Sequence, residues 1–179
     1  MLRTLVLIAA VVASPITIRD VDGRAWTLLQ PPGSQLDLLF FISPDCPISN
    51  RYAPEIQRVC ADYGSRGARC FAVYPDAIDD AAIARHRREY GFGASIPAII
   101  DRDHALVRAV GPRVTPEAAM YSSFGRQYKG RIDDLYLDVG RSRRTPVVRD
   151  LRRALDAVLA GRTPSVTETE AVGCFIQNP

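Results

Sequence analysis

Four cysteines carry the chemistry this chain could do: Cys46, Cys60, Cys70 and Cys174. Cys46 follows the apolar run Leu38-Leu39-Phe40-Phe41-Ile42, which reads as a buried strand. It precedes Pro47 and the segment 49–63, where Tyr52, Ile56, Val59 and Tyr63 recur at helical spacing. A thiol at such a strand-to-helix junction faces unpaired N–H groups and the positive end of the helix dipole, and both favour thiolate. Thiolate is the form that attacks disulfides and peroxides. The nearest hydroxyl downstream belongs to Ser49, and no second thiol is close in sequence, so a mixed disulfide on Cys46 must be resolved from elsewhere. Cys174, in the apolar unit Ala171-Val172-Gly173-Cys174-Phe175-Ile176 after the polar stretch 162–170, is the candidate resolving thiol. A permanent bridge or a free buried thiol is the alternative for Cys174. Cys60 and Cys70, separated by Gly64 and Gly67, read as a structural disulfide or as two core cysteines.

The elements that must position these groups follow from periodicity and punctuation. Residues 16–24 alternate into an Asp22-Gly23 turn and residues 25–29 return, predicting a peripheral hairpin closed by Pro31-Pro32-Gly33. Residues 36–42 form an apolar run, with Asp37 its one polar position, of the kind buried mid-sheet. The helix over 49–63 should kink at Pro54 and end at Gly64. A strand over 69–74, a helix over 79–90 capped by Asp79, a strand over 96–101 and a short helix over 104–110 come next. Two strands over 118–122 and 127–132, joined around Phe124-Gly125, precede the final helix. Thr145 should cap that helix, with Pro146 in its first turn and Val147, Leu151, Leu155, Val158 and Leu159 on its apolar face before Gly161. The order predicts one α/β domain over 14–161, a central mixed sheet flanked by helices with an N-terminal hairpin, and a C-terminal tail over 162–179 carrying Cys174.

Cys46-Pro47-Ile48-Ser49 and the later Thr115-Pro116 dipeptide resemble the thioredoxin-like, or redoxin, superfamily of alkyl hydroperoxide reductase and thiol-specific antioxidant type, over about residues 20–161. The resemblance implies a thioredoxin-like fold in which Ser49 replaces the second cysteine of Cys-x-x-Cys. It also implies that Pro116 is cis and lies against Cys46, where the Thr115 backbone can pair with an extended substrate. Pro47, Thr115 and Pro116 are thereby the substrate-side residues. Gly173-Cys174 with an apolar residue following, Thr115-Pro116-Glu117, and Gly130-Arg131-Ile132-Asp133-Asp134 are similar to a single-active-site-cysteine bacterial subgroup with a C-terminal Gly-Cys motif. The implied activity is thiol-disulfide exchange by Cys46 on a protein or small-molecule disulfide, reset by an external thiol reductant and without an organic cofactor.

Two alternatives are carried beside it. A peroxiredoxin-like thiol peroxidase is favoured by Ser43 and Pro47 around Cys46, and disfavoured by Leu39 where a proline belongs and by Thr115-Pro116 where an arginine belongs, with Arg113 only nearby. A non-catalytic binding or metal-delivery module of the same fold would use Cys-x-x-x-Cys plus a histidine, but Asn50 holds the second cysteine's place. His86 and His104 lack ligand spacing and read as solvated surface residues, and Asp133, Asp134 and Asp138 read as an exposed turn, so no metal is assigned. Asp45 and Glu117 are candidates for proton transfer at the thiol or for capping.

The 179 residues are 47% apolar, with 23 basic and 20 acidic side chains giving a formal charge of +3 spread along the chain. No basic stripe with interleaved aromatics marks a nucleic-acid partner, and Arg141-Ser142-Arg143-Arg144 reads as a solvated loop. Arg3, the apolar run 4–12 and the small residues Val11-Val12-Ala13 predict a signal peptide over 1–13, hence export to a periplasm or the extracellular space. A buried first strand is the alternative. The run falls short of the about 20 residues that a bilayer requires, so no integral membrane segment is expected in the mature chain. Export would permit stable disulfides among the cysteines.

Overall fold

A computed structural model describes residues 14–75 and 79–177. The expected signal segment 1–13 lies outside them. The order is β1 (Ile16–Arg19), β2 (Ala25–Leu28), β3 (Leu36–Phe41), α1 (Pro47–Gly64), β4 (Ala68–Tyr74), α2 (Asp80–Glu89), β5 (Ala98–Ile100) and α3 (Ala105–Val110). β6 (Val114–Thr115), β7 (Glu117–Ser122), β8 (Gly125–Gly130), β9 (Tyr136–Asp138), β10 (Arg141–Ser142), α4 (Asp150–Leu159) and β11 (Cys174–Phe175) complete it.

The central sheet runs β5-β4-β3-β7-β8, with β3, β4 and β5 parallel and β7 and β8 antiparallel to their neighbours. β3 is buried along its whole length, because its two faces feed two different cores. Leu38, Phe40 and Ile42 point with Cys70, Ala72 and Tyr74 toward α1 and α4, while Leu39, Phe41, Phe71 and Val73 point toward α3 and the hairpin residues Trp26 and Leu28. One polar side chain interrupts the run: Asp37 is fully buried, accepts from Arg69 Nε at 2.8 Å and from the Leu29 N–H at 3.0 Å, and so ties β4 and the end of the hairpin to β3.

Several expectations are corrected. His86 and His104 are buried, not solvated. His86 fills a space among Tyr74, Tyr90 and Phe92, and His104 takes a left-handed conformation (φ 50°) as the cap of α3. Asp133 and Asp134 are also buried, and only Asp138 of that trio is exposed. Asp133 accepts from Tyr52 Oη at 2.6 Å, while Asp134 accepts from the Val147 and Val148 N–H groups at 2.7 and 2.8 Å. The second pair explains why Thr145 caps no helix: the N–H groups of residues 147 and 148 are spent on Asp134, α4 starts at Asp150, and Val147 is left exposed. α1 begins at Pro47, earlier than its periodicity suggested, and runs on through Pro54. Arg141 and Ser142 pair with β9, and Arg143 Nε lies 3.2 Å from Asp134 Oδ2.

The tail does not trail away. The Thr169 N–H donates to Lys129 O at 3.0 Å, the Lys129 N–H donates to Thr167 O at 2.9 Å, and Glu168 pairs with Lys129 and Arg126, so the tail covers the otherwise open edge of β8. Gly130 makes this approach possible: at φ 141° a Cβ there would overlap both the backbone and the hydroxyl of Thr169.

Candidate active site

Cys46 caps α1 in an extended conformation (φ −94°, ψ 109°), with Pro47 in the first helical turn. The apolar strand fixes its height in the sheet, and the Cys46 N–H to Ser43 O bond at 3.2 Å shapes the turn that presents it. The thiol is 1% exposed. Its S–H donates to Thr115 O at 3.0 Å, and the Thr115-Pro116 peptide is cis, as the sequence resemblance implied. Glu117 follows; it is buried and accepts from the Arg113 and Val114 N–H groups at 2.8 and 3.4 Å, a structural role in holding β6.

β11 lies antiparallel to β6, with Cys174 opposite Thr115 and Phe175 opposite Val114, and this places the Cys174 thiol against that of Cys46. Gly173 lies flat on the Thr115-Pro116 peptide, where a Cβ would overlap Thr115 O. Glycine before Cys174 is therefore a steric requirement of the approach. Burial pushes the Cys46 thiol upward in pKa. Hydrogen bonds from the Cys174 thiol, from the Ser49 N–H and hydroxyl, and from the Cys174 backbone outweigh that burial and leave Cys46 below its ordinary value. Ser49 is buried and also accepts from the Ser43 N–H at 3.4 Å, so its hydroxyl is held in the turn. Asp45, the other acidic candidate, is exposed and its charge acts on His86.

A polar chain that sequence reading did not assemble lies behind this turn. Asn50 Nδ2 donates to Pro44 O at 2.9 Å, so Asn50 Oδ1 is the acceptor for His86 Nε2 at 3.0 Å. With the proton on Nε2, His86 Nδ1 accepts from Tyr74 Oη at 2.9 Å. Burial holds His86 neutral, lowering its pKa to about 4 against the opposing charge of Asp45. The chain connects β4, α2 and α1 to the carbonyl two residues before Cys46, and its members are too far apart in sequence for any spacing rule to link them.

Cys60 and Cys70 are joined in a disulfide, Cα to Cα 5.9 Å, which fastens the last turns of α1 to β4. It stands apart from the pair at Cys46. Thus Cys46, Ser49, Thr115, Pro116 and Cys174 converge, whereas Pro47 is exposed at the mouth of the turn and Cys60 and Cys70 serve the frame.

No family model matches the chain, and no curated protein matches it. Solved structures do. An uncharacterized conserved protein from Geobacillus kaustophilus is 23% identical and superposes with a TM-score of 0.77 over 93% of this chain and 90% of that one. A hypothetical protein from Sinorhizobium meliloti is 27% identical, with a TM-score of 0.72 over 92% and 91%. A secreted Mycobacterium tuberculosis disulfide oxidoreductase, described as homologous to E. coli DsbE, is 20% identical, with a TM-score of 0.52 over 62% of this chain and 78% of that one. The fold is thioredoxin-like. Within a thioredoxin-like frame, the strand, the turn bearing Cys46, the first helix and the cis-proline strand are the parts that build the site, and β11 is laid across them. Among the described residues no helix is long and apolar enough to cross a membrane.

Proposed function

We propose that this protein is a thiol-disulfide oxidoreductase in which Cys46 is the attacking thiol and Cys174 the resolving one. The observation that carries the reading is the seating of Cys174 opposite Thr115, with its thiol hydrogen-bonded to a Cys46 of lowered pKa. Cys46 thiolate attacks one sulfur of a substrate disulfide. The substrate S–S bond breaks, a Cys46–substrate disulfide forms, and the departing thiolate takes up a proton. Cys174, deprotonated, then attacks Cys46 Sγ, forming Cys46–Cys174 and releasing the second substrate thiol. Two electrons have moved from the protein's two thiols to the substrate, and an external dithiol or two monothiols return them.

Ser49 supports the thiolate without being able to resolve it, which gives Cys174 its place in the cycle. The disulfide oxidoreductase from M. tuberculosis is secreted by its own description, and this chain is proposed to work in a similarly oxidising space beyond the cytosol, with residues 1–13 as the export signal. Peroxide reduction fits the site less well: Arg113, the arginine near the position where one would polarise the peroxide, is exposed rather than turned into the site.

Glutathione disulfide is the probe. The reduced full chain should acquire a Cys46–Cys174 bridge with release of two glutathione thiols, while Cys174→Ser should stop at a stable Cys46–glutathione adduct that intact mass and peptide mapping identify. Cys46→Ser should form neither. Glutathione addition to Cys174 in Cys46→Ser as fast as addition to Cys46 in Cys174→Ser would refute the assignment of the attacking thiol, and a Cys46–glutathione adduct that persists in the unaltered chain would refute that of the resolving one.

A further inference from the structure

The edge of β6 beside Cys46 is a surface for an extended chain, and in this molecule residues 173–176 occupy it. Three separate contacts hold them. β11 pairs with Val114 and Thr115, the Ile176 N–H donates to Arg113 O at 3.1 Å, and the Ile176 side chain is buried in the core cluster with Leu28, Leu39 and Leu106. Gly173 lies where only a residue without a Cβ can meet the Thr115-Pro116 peptide. Phe175, between them, is 81% exposed and makes no demand on the surface. The occupant thus reports what the edge accepts: no side chain immediately before the cysteine, any side chain after it, and an aliphatic one after that.

On the reading of Cys46 as the attacking thiol, we propose that the tail is a tethered occupant of the substrate edge, and that a partner protein brings its cysteine to Cys46 by replacing residues 173–176 strand for strand. The partner presents an extended segment of the pattern glycine, cysteine, any residue, aliphatic residue. Main-chain bonds to Arg113, Val114 and Thr115 supply affinity, while the glycine contact and the aliphatic pocket supply selectivity. With Cys46 1% exposed beneath Cys174, exchange with a partner passes through a state in which the tail has left the edge.

Access to Cys46 can be read without any disulfide chemistry. Site-resolved iodoacetamide labelling of the reduced full chain, followed by peptide mass spectrometry, gives the Cys46 rate, with Trp26 fluorescence and circular dichroism checking the fold. Ile176→Asp should raise the Cys46 rate about tenfold or more, because it costs the docked state a buried aliphatic anchor. Gly173→Val should do the same from the other end of the segment, so a folding failure in one variant leaves the other to decide. Cys174→Ser, which keeps the strand, should leave Cys46 slow. The peptide Ala-Val-Gly-Ser-Phe-Ile, residues 171–176 with serine for cysteine, should slow labelling of Ile176→Asp again, and the same peptide with valine for glycine should not.

Unchanged Cys46 rates in both undocking variants would overturn the gate, and faster rates without protection by the peptide would overturn the strand exchange. Either failure is distinct from failure of the oxidoreductase assignment, which the glutathione products alone decide.

Discussion

Between pH 8 and pH 5 acid should weaken this protein at His86 by an amount that its burial sets. In the folded state burial holds the imidazole neutral down to about pH 4, since it is 4% exposed and both ring nitrogens are engaged. In the unfolded chain it titrates near its ordinary value of about 6.5. Between these values the unfolded state binds the extra proton, so stability rises with pH. The contribution is fully present above about pH 6.5 and is lost as the pH falls toward 4. The difference corresponds to about 2 kcal/mol between pH 8 and pH 5, approaching about 3 kcal/mol below pH 4. Urea unfolding at pH 8, 6.5 and 5, followed by Trp26 fluorescence and circular dichroism, measures it. The comparison is with His86→Gln, which cannot take up the proton and leaves every carboxylate in place. The wild-type chain should lose about 2 kcal/mol more than the variant over that range. Parallel pH dependences for the two proteins would refute the argument and mean that the imidazole is hydrated or already protonated in the native state.

Other outcomes follow from the same structure. Ser49→Ala and Cys174→Ala each remove a side-chain hydrogen bond that lowers the Cys46 pKa, so each should move the midpoint of the pH–rate profile for Cys46 alkylation upward; a downward or absent shift in both would contradict the assigned donors. Arg69→Met strands Asp37, fully buried, without its ion-pair partner, and should cost about 3–5 kcal/mol in denaturant unfolding. Replacing Cys60 and Cys70 together by serine opens the loop they close and should cost about 2–3 kcal/mol while leaving alkylation of Cys46 intact. Asn50→Leu removes the donor to Pro44 O and the acceptor for His86, and should lower stability by about 1–3 kcal/mol with a changed pH–rate profile at Cys46.

The sequence disclosed those parts of the molecule that depend on local pattern. β3 was legible as an apolar run despite Asp37 because it is buried on both faces, and the hairpin at Asp22-Gly23 and the cap at Asp79 were legible because their chemistry lies within a few residues. Cys46 stood out for the same reason. What escaped depends on partners distant in the chain. His86 lies on a charged helix whose composition says surface, and it is buried only because Tyr74 and Asn50 give both ring nitrogens a partner. Thr145-Pro146 is a good helix start by local rules, but Asp134, more than ten residues earlier, takes the N–H groups that would follow it. The role of Gly173 was visible only as part of a resemblance, since nothing short of the docked tail shows which peptide it must lie against.

The disulfide between Cys60 and Cys70 bears on the site from a distance. It locks the C-terminal end of α1 to β4, while the N-terminal end of the same helix is held by the Asn50 bond to Pro44 O and the Tyr52 bond to Asp133. The helix that carries Cys46 is clamped at both ends, so the two sulfurs of the proposed cycle have unequal freedom: one is the stator and the other the rotor. An oxidising environment would then act twice on this molecule, once to rivet the stationary part and once to turn over the moving part. Reductants mild enough to open Cys46–Cys174 but too weak to open Cys60–Cys70 define the working range of such a device.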